Sequence, residues 1–446
     1  MSIKTRFAPS PTGMLHVGNV RTALINWLFS RAHNGSFMLR MDDTDLVRSR
    51  PEYETAIKTD MQWLGLNWDE FARQSERLKR YEEVKTILIN SGRLYPCYES
   101  QAEIDMKRKM LLSRGLPPIY DRAALKLLKE ERQALEAQGY KPHYRFLLKD
   151  ESIEWNDLIR GDIQFQAKNL NDPIVIREDG SMTYILCSAV DDIDFGITHI
   201  FRGEDHISNT AIAIQITEAL GHLPPQMGHL SLLQSKTGEI SKRLGGFDIH
   251  SLREQFIEPM AINSLLAKMG SSDSIEVVNS LKQLIADFDI NKFSLSAVCY
   301  DFNDLLQLNH KLINNISFEE IHPSLNKLEV KISKEFWQAT RGNLNTVNEV
   351  IDWWKICNQA IVSNIDPANK EFLQIASGLL PAGECDLTTW DNWIGKIKAQ
   401  TDRTGKQLFM PLRLALTGRE SGPELKLLLP FIGRNRIEKR LNGETA

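Results

Sequence analysis

The N-terminal part of the chain places short apolar runs on either side of a stretch with helical spacing. Residues 3–8 form an apolar run that ends in a loop rich in proline and glycine, which predicts a buried strand. Apolar side chains recur at helical spacing over residues 19–32, and residues 37–41 form a second apolar run. This order predicts two parallel strands joined by a helix, with ligands bound beyond the carboxyl ends of the strands.

Farther along the chain the pattern changes twice. Residues 91–168 are charged and irregular, which predicts an inserted domain. Three more strands and a helix are then expected, at 174–176, 183–186, 196–201 and 209–220. Beyond about residue 247 helical periodicity dominates, as at 277–288, 344–362 and 371–380.

These patterns predict an α/β fold class with several regions, since a single core stops growing well below 446 residues. The expected regions are a parallel-sheet domain at 1–90 and 169–246, an inserted domain at 91–168, a helical region at 247–310 and an all-α region at 311–446.

Composition narrows the class of partners. The formal net charge of the chain is −4, which argues against a protein that coats DNA through its overall field. Residues 401–446 nevertheless carry nine Lys and Arg against five Asp and Glu, a local charge of +4. This basic segment suits a phosphate backbone, and a solvated helical face explains the same charges.

The cysteines and the apolar runs bear on the setting of the protein. The five cysteines lie far apart and form no Cys-x-x-Cys pair, so we expect reduced thiols and no structural zinc. No apolar run approaches the ~18 residues of a membrane span, and the first residues do not resemble a signal peptide. We therefore expect a cytoplasmic protein that neither binds membranes nor is secreted. Because no amphipathic heptad stretch is apparent, a monomer is expected.

The loop at residues 9–19 is the first candidate for chemistry. It joins the first strand to a helix N-terminus and holds His16 between Gly13 and Gly18. Glycines allow a close approach of ligand and backbone, a helix N-terminus attracts anions, and a histidine donates to phosphate oxygens. These features favour a nucleotide phosphate, although a turn glycine and an ordinary helix cap account for the same residues.

The second candidate is the loop at residues 235–246, in which Ser241 and Lys242 lie among polar residues and glycines. Lys242 would neutralise charge on a leaving pyrophosphate, and the glycines would allow the loop to close. The loop is not a Walker A motif, because the required glycine before the lysine is missing. Taken alone, it also fits an ordinary surface loop.

Together the two loops resemble the HIGH and KMSKS signatures of class I aminoacyl-tRNA synthetases. Residues 6–13, 202–210 and 240–243 are similar to the glutamyl-tRNA synthetase family of bacterial type, and the likeness continues at 64–70, 155–161 and 408–418. The resemblance implies a Rossmann-type catalytic domain, an insertion that binds the acceptor stem, a helical region that contacts the tRNA stem and an α-helical anticodon-binding region. The implied reaction joins L-glutamate to the terminal adenosine of tRNA(Glu) through a glutamyl-adenylate, with ATP as substrate and Mg2+ accompanying it.

The resemblance also implies roles for individual residues. The expected glutamate-binding set is Arg6, Ala8, Ser10, Asp42, Tyr184, Ser188 and Arg202, with Arg202 facing the side-chain carboxylate. The expected ATP-binding set is Ser10, Gly13, His16, Gly18, Asp205 and Lys242, and His16, Gly18, Ser241 and Lys242 are the expected catalytic residues. A core position for Tyr184 and a capping role for Asp191 and Asp192 are alternatives that the residues leave open.

Several positions depart from the family pattern. Asp42 is shorter than the usual Glu, Ser188 replaces the usual Asn, and Glu239 replaces the first lysine of the KMSKS-like loop. Asn343 aligns with an arginine that checks the last anticodon base in discriminating members. These departures suit a diverged second copy of the enzyme, and they leave two alternatives open. One is an enzyme that also or mainly charges tRNA(Gln), and the other is a catalytically inactive RNA-binding paralogue. No zinc, DNA or membrane partner is expected.

Overall fold

The computed structural model describes residues 2–235, 247–362 and 365–446, and the described chain divides into two compact units. Unit 1 comprises residues 1–252 and 262–302, and unit 2 comprises residues 253–261 and 303–446. The expected inserted region falls inside unit 1, and its separation from the catalytic region stays a prediction.

Unit 1 is built on small parallel and antiparallel sheets. Strands β1 (Lys4–Phe7), β2 (Ser36–Met41) and β3 (Glu70–Arg73) pair in parallel, with Arg6 opposite Met38. The other described strands of the chain also lie in unit 1: β4 (Leu94–Cys97), β5 (His143–Phe146), β6 (Ser152–Asp157), β7 (Gly161–Gln166), β8 (Ile174–Ile176), β9 (His199–Gly203), β10 (Gln226–Leu230), β11 (Leu233–Ser235) and β12 (Val298–Tyr300). β9 pairs with β10 and β11 with β12 in parallel, β4, β5 and β8 form an antiparallel sheet, and β6 and β7 form a hairpin.

Helices cover these sheets. Those wholly in unit 1 are α1 (Val17–Ala32), α2 (Pro51–Trp63), α3 (Leu78–Asn90), α4 (Gln101–Ser113), α5 (Lys129–Ala137), α6 (Tyr184–Asp194), α7 (Ile207–Ala219) and α10 (Leu281–Asp287). Helices α8 (Ile249–Glu254) and α9 (Pro259–Lys268) each have residues in both units. Short 3-10 segments lie at Gln74–Arg77, Ala123–Lys126, Ala167–Asn169, Glu204–His206 and Ile290–Lys292 in this unit.

Helix α1 is buried along much of its length, because both of its flanking strands and the helix itself carry apolar residues. Leu24, Ile25 and Leu28 have no exposed surface. The helix connects β1 to the parallel strand β2, as the sequence pattern predicts. The carboxyl ends of both strands and the N-terminus of α1 therefore belong to one edge of the sheet.

Unit 2 is α-helical in its described residues. Its remaining helices begin at Phe302 or later: α11 (Phe302–Asn315), α12 (Phe318–Leu325), α13 (Lys334–Thr340), α14 (Val350–Asn358), α15 (Lys370–Gly378), α16 (Thr389–Gln400), α17 (Gly405–Thr417), α18 (Leu425–Ile432) and α19 (Arg434–Leu441). Short 3-10 segments lie at Arg341–Asn343, Val347–Glu349 and Pro367–Asn369. The core is apolar, and Trp337 and Trp393 are among its fully buried side chains.

The fold class is confirmed: a catalytic unit with parallel strands precedes a helical unit. The strand expected at 183–186 is wrong, because these residues begin helix α6. Ile185, Leu186, Ala189 and Val190 are all buried, and their spacing is that of one helical face, which the short apolar run concealed. Among the described residues, no helix has the length and apolar character needed to span a bilayer.

Candidate active site

A cavity of about 770 Å³ opens in unit 1 at the carboxyl ends of β1 and β2. It brings together every glutamate-binding residue that the resemblance implies, and every such ATP-binding residue that the structure describes. These lining residues are Arg6, Ala8, Ser10, Gly13, His16, Gly18, Asp42, Tyr184, Ser188, Arg202 and Asp205. They come from four separate stretches of the sequence, which only the fold places around one space.

A group of buried charges lies at and behind one wall of the cavity, which Arg6 and Asp42 line. Arg6 donates from Nε and Nη2 to the two carboxylate oxygens of Asp192, at 3.1 and 3.2 Å. Arg40 is fully buried and donates from Nη1 to Asp192 at 2.9 Å and from Nε to Asp42 at 2.7 Å. Asp191 is also fully buried, and its oxygen lies 3.5 Å from Nε of Arg40. Asp191 and Asp192 therefore hold arginines in place, and the alternative that they merely cap or turn the chain is wrong.

The carboxylates of this wall respond differently to their surroundings. Burial raises the pKa of Asp42 above its ordinary value, although Arg40 acts in the opposite direction. Burial would also raise the pKa of Asp192, but the guanidinium groups of Arg6 and Arg40 outweigh it and lower that pKa. Ser188 joins the group, since its hydroxyl donates to Asp42 at 3.2 Å and accepts from Arg40 at 3.0 Å. Two of the departures from the family pattern, Asp42 and Ser188, thus contact one another.

Arg202 lies at the end of β9 and is paired differently from Arg6. Its Nη2 donates to the hydroxyl of Thr210 at 2.5 Å, and its buried Nε has no hydrogen-bond partner among the described residues. Burial, assisted by the positive charge of Arg6, lowers the pKa of Arg202 to about 10, so the group stays protonated at neutral pH. A buried cation with an unused donor favours an anionic ligand in this cavity.

Tyr184 and His206 also line the cavity. The tyrosine is 44% exposed and begins helix α6, so its alternative placement in the core is wrong. Its hydroxyl accepts a hydrogen bond from the side-chain amide of Asn209, and its ring meets the ring of His206 edge-on at 6.3 Å between centroids. The aromatic ring can cover the apolar part of a bound substrate while leaving its charged groups to the arginines.

His16 lines the same cavity and caps helix α1. Its Nδ1 accepts from the backbone N–H groups of Gly18 and Asn19, at 3.1 and 3.3 Å. The backbone N–H of Val17 donates to the carbonyl of Phe247. The N–H groups of Val17, Gly18 and Asn19 are therefore already engaged within the protein.

The hydrogen bonds of this cap determine which ring nitrogen of His16 can donate to a phosphate oxygen. Since Nδ1 accepts, the neutral ring carries its proton on Nε2, the atom that can donate to a phosphate oxygen. A Cβ atom at Gly18 would lie 3.0 Å from two ring atoms of His16, which explains the glycine at this position. Apart from Gly13 and its two chain neighbours, no described residue has a heavy atom within 4 Å of a Cβ position built at Gly13, so the described residues leave space beside the loop.

Three expected residues remain: Ser241, Lys242 and Asn343. Ser241 and Lys242, together with the unusual Glu239, fall outside the described residues. Asn343 is exposed and ends a short 3-10 segment of unit 2. Its neighbour Arg341 donates from Nη1 to the carbonyl of Ile316 at 2.9 Å. The role of Asn343 stays a prediction.

One group of described residues has the composition of a metal site. Cys97, Glu99 and His143 offer ligand atoms that lie within 4.8 Å of one another. Burial raises the pKa of the Cys97 thiol to about 11, which disfavours the thiolate that a metal requires. The carboxylate of Glu99 already accepts from the hydroxyl of Tyr120 at 2.9 Å. The absence of zinc stays a prediction.

Residue-by-residue reasoning missed the partners behind the cavity wall. Arg40 was a visible signal, because it is a lone charge inside the apolar run of β2. Thr210 and Asp157 lie in the stretches 202–210 and 155–161 that carry the family resemblance, and His229 lies outside them. Nothing in the local sequence indicates that these three residues contact one another.

Comparisons with known proteins agree with this arrangement. Residues 2–307 match the family described as tRNA synthetases class I (E and Q), catalytic domain, and residues 319–443 match an anticodon binding domain. A protein named Glutamate--tRNA ligase 2 from Orientia tsutsugamushi (strain Boryong) is 52% identical over 444 residues, which cover 99% of each chain. Glutamate--tRNA ligase 1 from Rickettsia bellii (strain OSU 85-389) is 52% identical over 441 residues, or 98% of this chain and 99% of its own.

A solved structure supports the same assignment at the level of the whole chain. The glutamate tRNA ligase from Elizabethkingia meningosepticum CCUG26117, crystallised in complex with its amino acid, superposes with a TM-score of 0.86. That protein is 26% identical, and the match covers 99% of both chains. The chain described here belongs to the glutamyl-tRNA synthetase family of class I aminoacyl-tRNA synthetases.

Proposed function

We propose that the protein joins L-glutamate to the 3'-terminal adenosine of tRNA(Glu) at the cavity of unit 1, in an ATP-dependent reaction. The observation that carries this proposal is the pairing of the two arginines in the cavity. Arg6 is engaged by both oxygens of Asp192, whereas Arg202 retains a buried Nε donor without a partner among the described residues. Arg202 is therefore the cation that receives the side-chain carboxylate of glutamate.

This arrangement selects glutamate over glutamine. The guanidinium donors of Arg202 match a carboxylate, which only accepts hydrogen bonds, whereas the amide nitrogen of glutamine would face one of these donors with its own N–H groups. On this proposal Asp42 and Ser188 face the α-amino group, and Tyr184 covers the carbon chain of the substrate. Ala8 and Ser10 form the floor of the cavity at the end of β1.

The reaction itself requires positioning rather than a protein nucleophile. The α-carboxylate of glutamate attacks the α-phosphorus of ATP, the bond to pyrophosphate breaks, and glutamyl-adenylate forms. The ribose hydroxyl of the tRNA then attacks the glutamyl carbonyl and releases AMP. On this proposal His16 donates from Nε2 to a phosphate oxygen, Gly13 and Gly18 leave room for the phosphates, and Asp205, which lines the same cavity, faces the nucleotide.

The proposed reaction also uses Mg2+ and Lys242, whose positions the structure does not describe. Mg2+ would arrive bound to ATP and neutralise phosphate charge, held mainly by phosphate oxygens. Lys242, with Ser241 beside it in the sequence, would stabilise the departing pyrophosphate. We expect Lys242→Ala to lower kcat at least about a hundredfold, by analogy with the loss of one charge-stabilising donor.

The experiment that tests the proposal is acylation with labelled glutamate and ATP, using separately purified tRNA(Glu) and tRNA(Gln). Charging of tRNA(Glu) alone supports a discriminating enzyme. Charging of neither, with tRNA of verified quality, would favour the inactive paralogue and overturn the proposal.

The role of Arg202 has its own test. Arg202→Ala should raise the KM for glutamate by about a hundredfold, because a charged hydrogen bond to the substrate is lost. The control is Arg177→Ala, which removes an exposed arginine outside the cavity and should leave that KM unchanged. An unchanged KM for glutamate in Arg202→Ala would show that another group binds the carboxylate.

A second candidate function is relaxed tRNA choice, and Asn343 is the observation that favours it. Its exposed, uncharged side chain lacks the guanidinium fork that reads a base edge in two hydrogen bonds. We expect the wild-type protein to charge tRNA(Gln) as well, and Asn343→Arg to lower that activity relative to tRNA(Glu). Equal ratios in both proteins would remove Asn343 from tRNA discrimination.

A further inference from the structure

A row of buried hydrogen bonds lies behind Arg202, on the side away from the cavity. Nη2 of Arg202 donates to the hydroxyl of Thr210, and this hydroxyl oxygen lies 2.7 Å from Nε2 of His229. Nδ1 of His229 in turn contacts a carboxylate oxygen of Asp157 at 2.5 Å. Thr210 and His229 have no exposed surface and Asp157 is 2% exposed, so solvent does not replace any of these partners.

The hydrogen bonds of this row all run in one direction, from the donor Arg202 to the final acceptor Asp157. Asp157 accepts from the backbone N–H groups of Ile159, Arg160 and His229, at 3.1, 3.0 and 3.1 Å. Burial acts to raise the pKa of Asp157, but these bonds and the one from the His229 ring lower it below its ordinary value. The group is therefore a carboxylate, and a carboxylate accepts only.

Because Asp157 accepts, Nδ1 of His229 carries a proton. In the neutral ring Nε2 is then an acceptor, so the hydroxyl of Thr210 donates to it. The lone pairs of that hydroxyl are left to face Arg202, which has only donors. Each bond from Arg202 through Thr210 and His229 to Asp157 thus strengthens the next, and the row ends on a fixed negative charge.

The bond to His229 is not the usual bond of a threonine in a helix. Thr210 lies in α7, and its hydroxyl is also 3.2 Å from the carbonyl of His206, one turn earlier. The nitrogen of His229, at 2.7 Å, is the nearer acceptor. Thr217 in the same helix shows the ordinary arrangement, since its hydroxyl donates to the carbonyl of Ala213 at 2.9 Å.

We propose that Thr210, His229 and Asp157 are positioning residues, which hold the guanidinium of Arg202 so that its remaining donors face the side-chain carboxylate of glutamate. This inference rests on the proposed function, in which Arg202 receives that carboxylate. The three residues come from α7, β10 and β6, so the row also links three elements of unit 1 to one substrate contact. Removal of the row should weaken glutamate binding and leave the ATP contacts intact.

The first experiment removes one hydroxyl group. Thr210→Val keeps the shape of the side chain, leaves Nη2 of Arg202 without its acceptor and should raise the KM for glutamate by about tenfold. The KM for ATP should change by less than about twofold, since the row does not contact the phosphate end of the cavity. Thr210→Ser restores the hydroxyl and should recover most of the affinity for glutamate.

Matched variants separate positioning from a structural role. Thr217→Val removes a buried hydroxyl from the same helix and should leave the KM for glutamate within about twofold. A Thr210→Val protein with an unchanged KM for glutamate would overturn the inference. So would equal increases in the KM values for glutamate and ATP, because a general loosening of the unit produces that result.

A second pair of variants tests the row at His229. The amide of His229→Gln reaches toward the position of Nε2 and can still accept from Thr210, whereas the shorter His229→Asn reaches only toward Asp157. We expect the Asn variant to raise the KM for glutamate more than the Gln variant does. The reverse order would overturn the inference, and this pair remains informative if Thr210→Val does not fold.

A double variant distinguishes failure of this inference from failure of the proposed function. In an Arg202→Lys background, Thr210→Val should add little to the KM for glutamate, because both changes act on one contact. Additive effects on the KM for glutamate would overturn the positioning role of the row. The role proposed for Arg202 would remain. If Arg202→Lys by itself leaves that KM unchanged, the proposed function fails at this residue.

Discussion

Two fully buried arginines, one in each unit, are held by opposite means. Arg40 in unit 1 meets the carboxylates of Asp42, Asp191 and Asp192. Arg440 in unit 2 donates to the backbone oxygens of Ile356, Gln359, Leu416 and Ala446 and, among the described residues, to no side-chain carboxylate. Both side chains have no exposed surface.

The two environments shift the two arginines in opposite directions. Burial alone lowers the pKa of a guanidinium, and it lowers that of Arg440 to about 10. The carboxylates around Arg40 outweigh burial and raise its pKa well above the usual value. Arg440 therefore ties together chain segments of a helical core, whereas Arg40 balances negative charge next to a substrate cavity.

The largest effect is expected at Arg40. Arg40→Met should lower the free energy of unfolding of unit 1 by about 3–5 kcal/mol, because buried carboxylates lose their positive partner. Aminoacylation should also be lost, since Asp42 and Ser188 are no longer held. Urea unfolding and acylation assays measure the two effects. Near-normal stability at pH 7 would show that neighbouring cations replace Arg40.

A somewhat smaller effect is expected at Arg440. Arg440→Met should lower the free energy of unfolding of unit 2 by about 2–4 kcal/mol, because several buried carbonyls lose their donor. The KM for glutamate should not change, since this residue belongs to the other unit. Urea unfolding followed by tryptophan fluorescence checks the first statement, and acylation kinetics check the second. An altered KM for glutamate would contradict the assignment of Arg440 to structure alone.

The dependence on pH sharpens the difference between the two arginines. Without Arg40 the buried carboxylates gain raised pKa values, so they take up protons as the pH falls and the loss of stability shrinks. The effect of Arg440→Met should stay constant between about pH 8 and pH 5, because the acceptors of that side chain among the described residues are main-chain oxygens, which do not titrate in this range. Unfolding curves of both variants at several pH values test this. If the loss of stability changed with pH in the same way in both variants, the proposed difference between the two arginines would be contradicted.

Tyr81 offers a smaller change within the same charged group. Its hydroxyl is fully buried and lies 3.0 and 2.9 Å from the two oxygens of Asp191. Tyr81→Phe should cost about 1.5–3 kcal/mol in unfolding free energy, the range for a hydrogen bond to a charged group. Thr340→Val in unit 2 removes a hydroxyl that donates to the carbonyl of Phe336, and it should cost less. Equal losses would contradict a special role for charge in unit 1.

The smallest effect concerns a third buried basic side chain, His143, which burial keeps neutral. Burial, reinforced by Arg145, lowers the pKa of His143 to about 4. The unfolded histidine takes up a proton below about pH 6.5, so stability from the neutral ring is complete above that pH and falls toward pH 4. At pH 5.5 the loss should be about 1 kcal/mol. Hydrogen exchange across β5 should show it in the wild type and not in His143→Gln.

The candidate site was predictable from the sequence to different degrees. The loop with His16 could be placed between a strand and a helix from local pattern alone. The grouping of Arg6, Asp42 and Arg202 came from the family resemblance, because residues so far apart show no common local pattern. The strand expected at Tyr184 was wrong, since four apolar residues in a row fit either a buried strand or one face of a helix.

By itself, the sequence determined the order of strand, helix and strand at the start, the change to helices after about residue 247, and the family. These properties depend on local periodicity and on short motifs, which can be recognised in the sequence without the structure. Only the tertiary structure decided which arginine is engaged by carboxylates and which keeps an unused donor. It also decided that His16 caps its own helix and that Thr210 faces His229. Such pairings depend on distances between side chains that the chain brings together from remote positions, and no spacing along the sequence encodes them.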